Sequence, residues 1–295
     1  MQKKSFKPGL NRLLESLFET DNSGALNEEQ LISDCNFLWP HEPFAHIKNF
    51  SASLKLLEKY PFWISYGGIR TGSTFITMAL KVILGSITEN FLIGWEGDFK
   101  EPKKFFELVE SNSSIDAGIL KIHRSENCCN IMLKNNKAKA LVSIRDYPAI
   151  AASYLRMRSN PYSPIYSSKG TTNEQLIDFI ESEIAQQRKK QNLPNTFFVR
   201  EDIIRSNPDQ AISIIAEYLG ISLTKASIGV IAEKLNIESQ RIRQKYLVVN
   251  STGHSQDNFL HYEHVNPADQ ELDDSLRDLV FTHFGQDLNE DGYLK

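Results

Sequence analysis

The chain has 295 residues, of which 41% are hydrophobic and 24% charged, and its formal net charge is -4. These proportions are those of a globular protein with a substantial buried core, arranged in one large domain or two small ones. A mildly negative overall charge argues against a nucleic acid or an anionic membrane surface as the partner, so positive charge for an anionic ligand would have to be concentrated in one cleft.

The cysteines and the N-terminal sequence give information on the cellular compartment. The three cysteines, Cys35, Cys128 and Cys129, form neither a disulfide framework nor a CxxC metal motif. They indicate reduced thiols, a cytoplasmic location and no bound metal. Polar residues from Asn11 to Ser16 interrupt the apolar positions near the N-terminus, so we expect no signal peptide. No apolar run is long enough to span a bilayer.

Residues 1–59 differ in character from the rest. They are mostly polar with helical spacing, are broken by Pro8, Pro40 and Pro43, and are predicted to form a helical extension packed on the main domain. Residues 60–295 are predicted to form that main domain, in which strand-like and helix-like segments alternate.

The alternation of segments predicts the fold class. Strands alternating with helices are typical of a single α/β domain with a central, mainly parallel sheet flanked by helices on both faces. The predicted strands are 61–68, 117–123, 139–146 and 195–202, and the predicted helices are 73–85, 148–158, 173–191 and 208–221.

The segment FWISYGGIRTGSTFITMALKVIL, residues 62–84, has the pattern of a phosphate-binding loop. An apolar strand runs into a Gly-rich turn, and the segment contains no Asp or Glu to occupy the helix N-terminus, which attracts anions. Gly67 and Gly72 have the glycine spacing of the Walker A motif, but Ser73 replaces its lysine. The pattern indicates an anion site without the machinery for triphosphate hydrolysis. A tight strand–helix turn with no ligand is the alternative.

Arginine and hydroxyl side chains supply donors near this turn. Arg70 carries a planar, permanent charge suited to phosphate or sulfate. Arg145 ends a predicted strand, and Ser153 follows eight residues later in the next helix. Because ligands of open parallel sheets bind beyond the carboxyl ends of the strands, Arg70 and Arg145 are expected to converge on one ligand with two separated anionic groups. The alternatives are an ion pair of Arg145 with Asp146 or another acid, and a Ser153 hydroxyl bonded to its own helix backbone.

Lys121 and His123 alternate along one predicted strand, so their side chains point to the same face. A neutral histidine there could take a proton from an acceptor hydroxyl, and the lysine could neutralise charge on a leaving phosphate. A half-exposed strand end with solvated polar residues is the alternative.

In this order, the three motifs resemble those of the PAPS-dependent sulfotransferases. The donor of that family is 3'-phosphoadenosine 5'-phosphosulfate (PAPS), and its nucleotide product is 3'-phosphoadenosine 5'-phosphate (PAP). IRTGSTF resembles the family's 5'-phosphosulfate loop, in the Arg-containing form of its carbohydrate and bacterial branches. LKIH resembles its Lys-x-His strand, and SIRDYPAIAASY its 3'-phosphate motif. FFVREDI resembles a later strand that ends in Tyr-Glu-Asp, with Arg200 where Tyr is usual; the resemblance covers about residues 60–220.

The resemblance implies a P-loop-like α/β fold and a reaction. A sulfuryl group would pass in line from PAPS to a hydroxyl or amine of a small-molecule or carbohydrate acceptor, without a metal. His123 would be the general base, Lys121 would steady the bridging oxygen, and Arg70 would add a catalytic cation. The residues implied to hold the donor are Arg70, Thr71, Gly72, Ser73 and Thr74 at the 5'-phosphosulfate, Phe75 at the adenine, and Arg145 and Ser153 at the 3'-phosphate.

The sequence departs from the family's motifs in one respect and leaves two alternative functions open. The C-terminal Arg-Lys-Gly segment that closes over the 3'-phosphate in cytosolic members is not found, and Arg241, Arg243 and Lys245 are candidates to replace it. A P-loop small-molecule kinase would need a loop lysine and Mg²⁺ ligands, and a non-catalytic nucleotide-binding module would need no base at His123. The acceptor and the oligomeric state are not predicted; residues 91–100 and 161–173 are candidates for the acceptor pocket.

Overall fold

A computed structural model of the chain describes residues 48, 50–95, 102–159, 167–236 and 272–293. Its centre is a five-stranded sheet of order β2-β3-β1-β4-β5, in which every neighbouring pair of strands is parallel. The strands are β1 (Phe62–Ser65), β2 (Phe91–Trp95), β3 (Ala117–Lys121), β4 (Ala138–Ile144) and β5 (Thr196–Arg200). The α/β fold with a central parallel sheet, predicted from the alternation of segments, is confirmed.

Strand β1 lies in the middle of the sheet and fixes where the site forms. Ile64 of β1 aligns with Leu120 of β3 on one side and with Ala140 of β4 on the other. The carboxyl ends of these three strands therefore lie side by side, and the loops that leave them are neighbours at one edge of the sheet.

Helices precede, connect and follow the strands, and they cover both faces of the sheet. They are α1 (Phe50–Lys59), α2 (Ser73–Gly85), α3 (Pro102–Ser111), α4 (Asn127–Lys134), α5 (Tyr147–Ser159), α6 (Asn173–Gln191), α7 (Glu201–Ser206), α8 (Pro208–Leu219), α9 (Lys225–Leu235) and α10 (Asp274–Glu290).

Adjacent residues of β1 point into opposite halves of the core, as the pleat of a strand requires. Trp63 packs in one cluster with residues of α2, α8 and α9. Phe62 and Ile64 pack in a second cluster with α3 and α4, where the rings of Phe62 and Phe106 meet edge to face. A third cluster joins α5, α6 and α10. Because both faces are covered, the strand sequences are almost continuously apolar.

The predicted N-terminal extension is described only at its end. Helix α1 buries Leu57 in the cluster shared with α2, so this part of the segment belongs to the main core. Residues 1–47 and 49 lie outside the described residues, and the boundary between 1–59 and 60–295 stays a prediction. In the ranges that the structure describes, no helix is long and apolar enough to cross a membrane.

Candidate functional site

The loop between β1 and α2 is shaped by its contacts with β4. A Cβ atom on Gly67 would lie 2.0 Å from Ser143 Oγ, so only glycine permits this approach. Thr71 Oγ1 donates to the Gly68 carbonyl at 2.8 Å and lies 2.8 Å from Ser143 Oγ. Because the Thr71 side chain is buried, its hydroxyl supports the loop from within, and the backbone N–H is the group it can offer to a ligand.

The same loop is also fixed from α6. Glu183 Oε2 accepts the Ile69 N–H at 2.8 Å. Arg70 and Gly72 both adopt positive φ angles, 68° and 90°, and the second marks the turn into α2. A non-glycine residue at φ 68° is strained, which indicates that the surrounding contacts hold the backbone there.

The N-terminus of α2 has the chemical features of an anion-binding site. Its N-cap is Gly72, no side chain makes a capping hydrogen bond, and the first turn contains no acidic residue. The first N–H groups of a helix have no intrahelical acceptors and carry a partial positive charge. The loop therefore presents the features that bind phosphate or sulfate groups in other strand–loop–helix units.

Lys121, the last residue of β3, and His123, two residues further on, lie beside this loop. Lys121 Nζ donates to Thr74 Oγ1 at 3.0 Å, so the lysine reaches the first turn of α2. His123 Nδ1 lies 3.0 Å from the Gly67 carbonyl oxygen. Because a carbonyl oxygen only accepts, Nδ1 carries the hydrogen, and in a neutral ring Nε2 then holds the lone pair that a general base requires.

Lys190 of α6 ties the loop to the segment that carries His123. Its buried Nζ donates to the carbonyl oxygen of Tyr66 at 2.8 Å and to that of His123 at 2.6 Å, and lies 4.4 Å from the centre of the Tyr66 ring. One ammonium group therefore sets the spacing between the start of the loop and the histidine.

Replacing Lys190 by methionine is expected to lower the free energy of unfolding by about 2–4 kcal/mol. Methionine fills much of the same space, but the two carbonyl oxygens lose their donor, and an unsatisfied buried polar group costs about 1–3 kcal/mol. Urea denaturation measures the change. Lys189→Met changes the exposed neighbour on the same helix, and we expect it to stay near the wild type; an equal loss in both variants would contradict this role for Lys190.

A second group of side chains lies on the other side of the loop. Arg70 Nε donates to Ser153 Oγ of α5 at 2.6 Å, and Arg145 Nη1 donates to the Arg70 carbonyl oxygen at 3.2 Å. Burial, followed by repulsion from Arg145 and Arg156, lowers the pKa of Arg70 to about 10. Burial also lowers the pKa of Arg145. The folded chain thus holds like charges together in a poorly solvated place, which an anion would relieve.

One internal carboxylate partly balances this charge. Arg145 Nε lies 3.4 Å from Glu201 Oε2, and Glu201 also pairs with Arg205 one turn along α7. Of the alternatives for Arg145, the ion pair with an acid therefore exists, and its partner is Glu201. Burial raises the pKa of the neighbouring Asp146.

The structure brings the predicted residues together in two groups. Lys121, Thr74 and His123 lie at the loop and the start of α2, whereas Arg70 lies with Arg145 and Ser153. Ser73 is buried. Phe75 is partly buried against the core on the α2 side of the sheet. The candidates Arg241, Arg243 and Lys245 lie outside the described residues, as do the segments 96–100 and 161–166.

Sequence reasoning missed four residues that shape this site: Ser143, Glu183, Lys190 and Arg156. Ser143 and Arg145 are two residues apart, a spacing that places both side chains on the same face of a strand. Ser143 could therefore have been predicted from the sequence. Glu183 and Lys190 are seven residues apart on one face of α6, but no spacing rule connects that face to a loop more than 100 residues earlier. Among the described residues, no group of three or more His, Cys, Asp or Glu side chains is placed to hold a metal ion.

Comparison with known proteins gives matches at the level of structure. No protein-family model and no curated protein matches the sequence. Mouse sulfotransferase SULT7A1 complexed with PAP matches with a TM-score of 0.57 at 11% identity, over 82% of this chain and 90% of that chain. Retinol dehydratase in a complex with retinol and PAP matches with a TM-score of 0.50 at 13% identity, over 90% of this chain and 96% of that chain.

A third match is retinol dehydratase in complex with androsterone and inactive cofactor PAP. Its TM-score is 0.50 at 12% identity, over 97% of this chain and 96% of that chain. At these identities the likeness establishes the fold: the chain has the single-domain, P-loop-like α/β fold of the PAPS-dependent sulfotransferases.

Proposed function

We propose that the protein is a sulfotransferase that moves a sulfuryl group from PAPS to a hydroxyl or amine of a small-molecule or carbohydrate acceptor. The observation that carries this proposal is the presence of two distinct cationic groups flanking one phosphate-type loop. PAPS has anionic groups at both its 5' and its 3' position, and a ligand of that shape would use both groups. A nucleoside di- or triphosphate carries its phosphates in one chain and would leave the arginine group without a ligand.

The donor would lie across the carboxyl edge of β1, β3 and β4. The backbone of Thr71, Gly72, Ser73 and Thr74 at the start of α2, together with Lys121, would hold the 5'-phosphosulfate. Arg145, Ser153 and the guanidinium of Arg70 would hold the 3'-phosphate. Arg70 would thus meet the 5' group through its backbone and the 3' group through its side chain. Phe75 remains our candidate for contact with the adenine.

The reaction would be an in-line displacement at sulfur. His123 Nε2 takes the proton of the acceptor hydroxyl as the new bond from oxygen to sulfur forms. The bond from sulfur to the bridging oxygen breaks, and its electron pair stays on the phosphate of PAP, where Lys121 stabilises the added charge. Because such a transition state spreads charge over peripheral oxygens, fixed cations and positioning would carry most of the rate enhancement.

The structural neighbours are consistent with this proposal. Those structures are complexes with PAP, and the two of retinol dehydratase also contain retinol or androsterone. The kinase alternative is weakened by the loop itself, since Ser73 stands where a triphosphate-binding loop has its lysine.

Calorimetric titration with PAP, adenosine 5'-phosphate and ADP with Mg²⁺ tests the proposal. Since the 3'-phosphate adds charge-assisted hydrogen bonds, each contributing about 1.5–3 kcal/mol, we expect PAP to bind at least about tenfold more tightly than adenosine 5'-phosphate. Equal binding of the two nucleotides would overturn the proposal, and a preference for ADP with Mg²⁺ would favour the kinase.

A further inference from the structure

Arg156 is a half-buried cation that the reaction proposed above does not use. It lies on α5 three residues after Ser153, so the two side chains share one face of the helix. Its Nε atom is buried and has no hydrogen-bond partner in the part of the chain that the structure describes. A buried donor of a charged group without an acceptor is costly, and such groups in folded proteins generally have a reason to be there.

The surroundings of Arg156 are positive. Burial and then repulsion from Arg145 and Arg205 lower the pKa of Arg156, and Arg156 in turn lowers that of Arg70. The carboxylate of Glu201 lies against Arg145 and Arg205. The repulsion on Arg156 comes from two elements, the end of β4 at Arg145 and helix α7 at Arg205. Helix α5 thus adds a positive charge to a cluster in which Arg70, Arg145 and Arg205 already outnumber the carboxylates of Glu201 and Asp146.

We propose that Arg156 is the third cation of the arginine site and that, with Arg70 and Arg145, it binds a dianionic phosphate monoester. Three guanidinium groups offer more charge and more donors than a singly charged sulfate or phosphodiester requires, and a terminal phosphate can accept from all of them. Since that phosphate is the 3'-phosphate of the proposed donor, this inference rests on the proposed function. The inference assigns to helix α5 the additional contact with the 3'-phosphate for which the sequence suggests only Arg241, Arg243 and Lys245.

The inference predicts a loss of affinity that depends on the 3'-phosphate. Arg156→Ala is expected to weaken PAP binding by about tenfold or more, because a charge-assisted contact is lost, and to leave binding of adenosine 5'-phosphate within about twofold of the wild type. Arg156→Lys keeps the charge but not the planar pair of donors, so its affinity for PAP should fall between the two. Titration calorimetry of each variant with each nucleotide gives these ratios.

Arg158→Ala is the matched control. Arg158 lies two residues further along α5, and its side chain donates to Gly170 O and to Thr171 Oγ1. We expect this variant to bind PAP as the wild type does. Thermal unfolding without ligand adds a second readout: removing Arg156 relieves repulsion, so the free Arg156→Ala protein should unfold at the wild-type temperature or above.

The outcomes separate this inference from the proposed function. If the wild type prefers PAP and Arg156→Ala keeps that preference undiminished, Arg156 is not part of the phosphate site. If Arg156→Ala weakens both nucleotides equally, its effect is not on the 3'-phosphate and the inference is again overturned. If the wild type itself shows no preference for PAP over adenosine 5'-phosphate, the proposed function fails before Arg156 is considered. Should Arg156→Ala not fold, the same comparison on Arg156→Lys decides.

Discussion

Arg145→Ala is expected to weaken binding of PAP by about 10- to 150-fold, since a hydrogen bond from a charged group contributes about 1.5–3 kcal/mol. The guanidinium is held before any ligand arrives, by the Arg70 carbonyl oxygen and by Glu201. A donor that is already positioned loses little conformational freedom on binding, so most of its interaction with the phosphate appears as affinity. Titration calorimetry with PAP measures the loss.

Stability should change much less than affinity in the same variant. Arg145→Ala breaks the contact with Glu201 but also removes a cation that repels Arg70. These two effects oppose each other, so the unfolding temperature of the free protein is expected to move little. The stabilisation that saturating PAP gives to the wild type should be reduced in the variant, because only the folded protein binds the ligand.

Arg200→Ala is the matched control for Arg145. Arg200 also stands at the carboxyl end of a strand of this sheet, but it pairs with Asp202 and donates to Gly292 O beside α10. Its removal should leave PAP affinity within about twofold of the wild type, because its guanidinium binds Asp202 and the Gly292 carbonyl oxygen. Wild-type affinity in Arg145→Ala, or an equal loss in Arg200→Ala, would remove Arg145 from the binding site.

The elements that could be predicted are the long ones with a clear hydrophobic periodicity or a clear helix-capping sequence. Helix α2 occupies the predicted residues 73–85, and α6 begins at a capping box formed by Thr172 and Gln175. Strand β2 and helices α3, α4, α7, α9 and α10 were not predicted. β2 is five residues of FLIGW, too short for periodicity to assign, and α4 is eight residues of NCCNIMLK, in which Asn and Cys favour helix weakly.

The sequence predicts those parts of the site whose position follows from the ends of the strands. Residues at the carboxyl ends of neighbouring parallel strands must lie at one edge of the sheet, which is why Arg70, Lys121 and Arg145 all flank the same loop. The direction of the Arg70 side chain could not be predicted, because it depends on a left-handed backbone conformation that the sequence does not specify for an arginine. Glu183 and Lys190 reach the site from a helix distant in the chain, and only the packed structure reveals that.

The two groups at the site differ in what they require of the fold. The arginine group concentrates like charges with little solvent, so it is costly without an anion and gains when one binds. The lysine and histidine instead contact neutral acceptors, Thr74 Oγ1 and the Gly67 carbonyl oxygen. Binding and chemistry are therefore expected to be separable by mutation.

His123→Asn is expected to lower the turnover rate by about 10²- to 10⁴-fold, the usual contribution of a positioned general base, and to leave PAP affinity within about twofold of the wild type. The asparagine amide can replace the N–H that His123 Nδ1 donates to the Gly67 carbonyl. The loop should therefore keep its shape, while the basic nitrogen is lost. Release of PAP from PAPS, measured with a panel of hydroxyl and amine acceptors, gives the rate, and calorimetry gives the affinity.

His283→Asn provides the control, since His283 makes the same kind of contact, from Nδ1 to the Leu279 carbonyl oxygen at 3.0 Å, on the exposed side of α10. Its rate should equal that of the wild type. Full turnover in His123→Asn would show that another group accepts the proton and would remove His123 from the mechanism. Loss of PAP binding together with turnover would mean that His123 serves to shape the loop, because a base that acts only on the acceptor has no effect on the affinity for the donor's product.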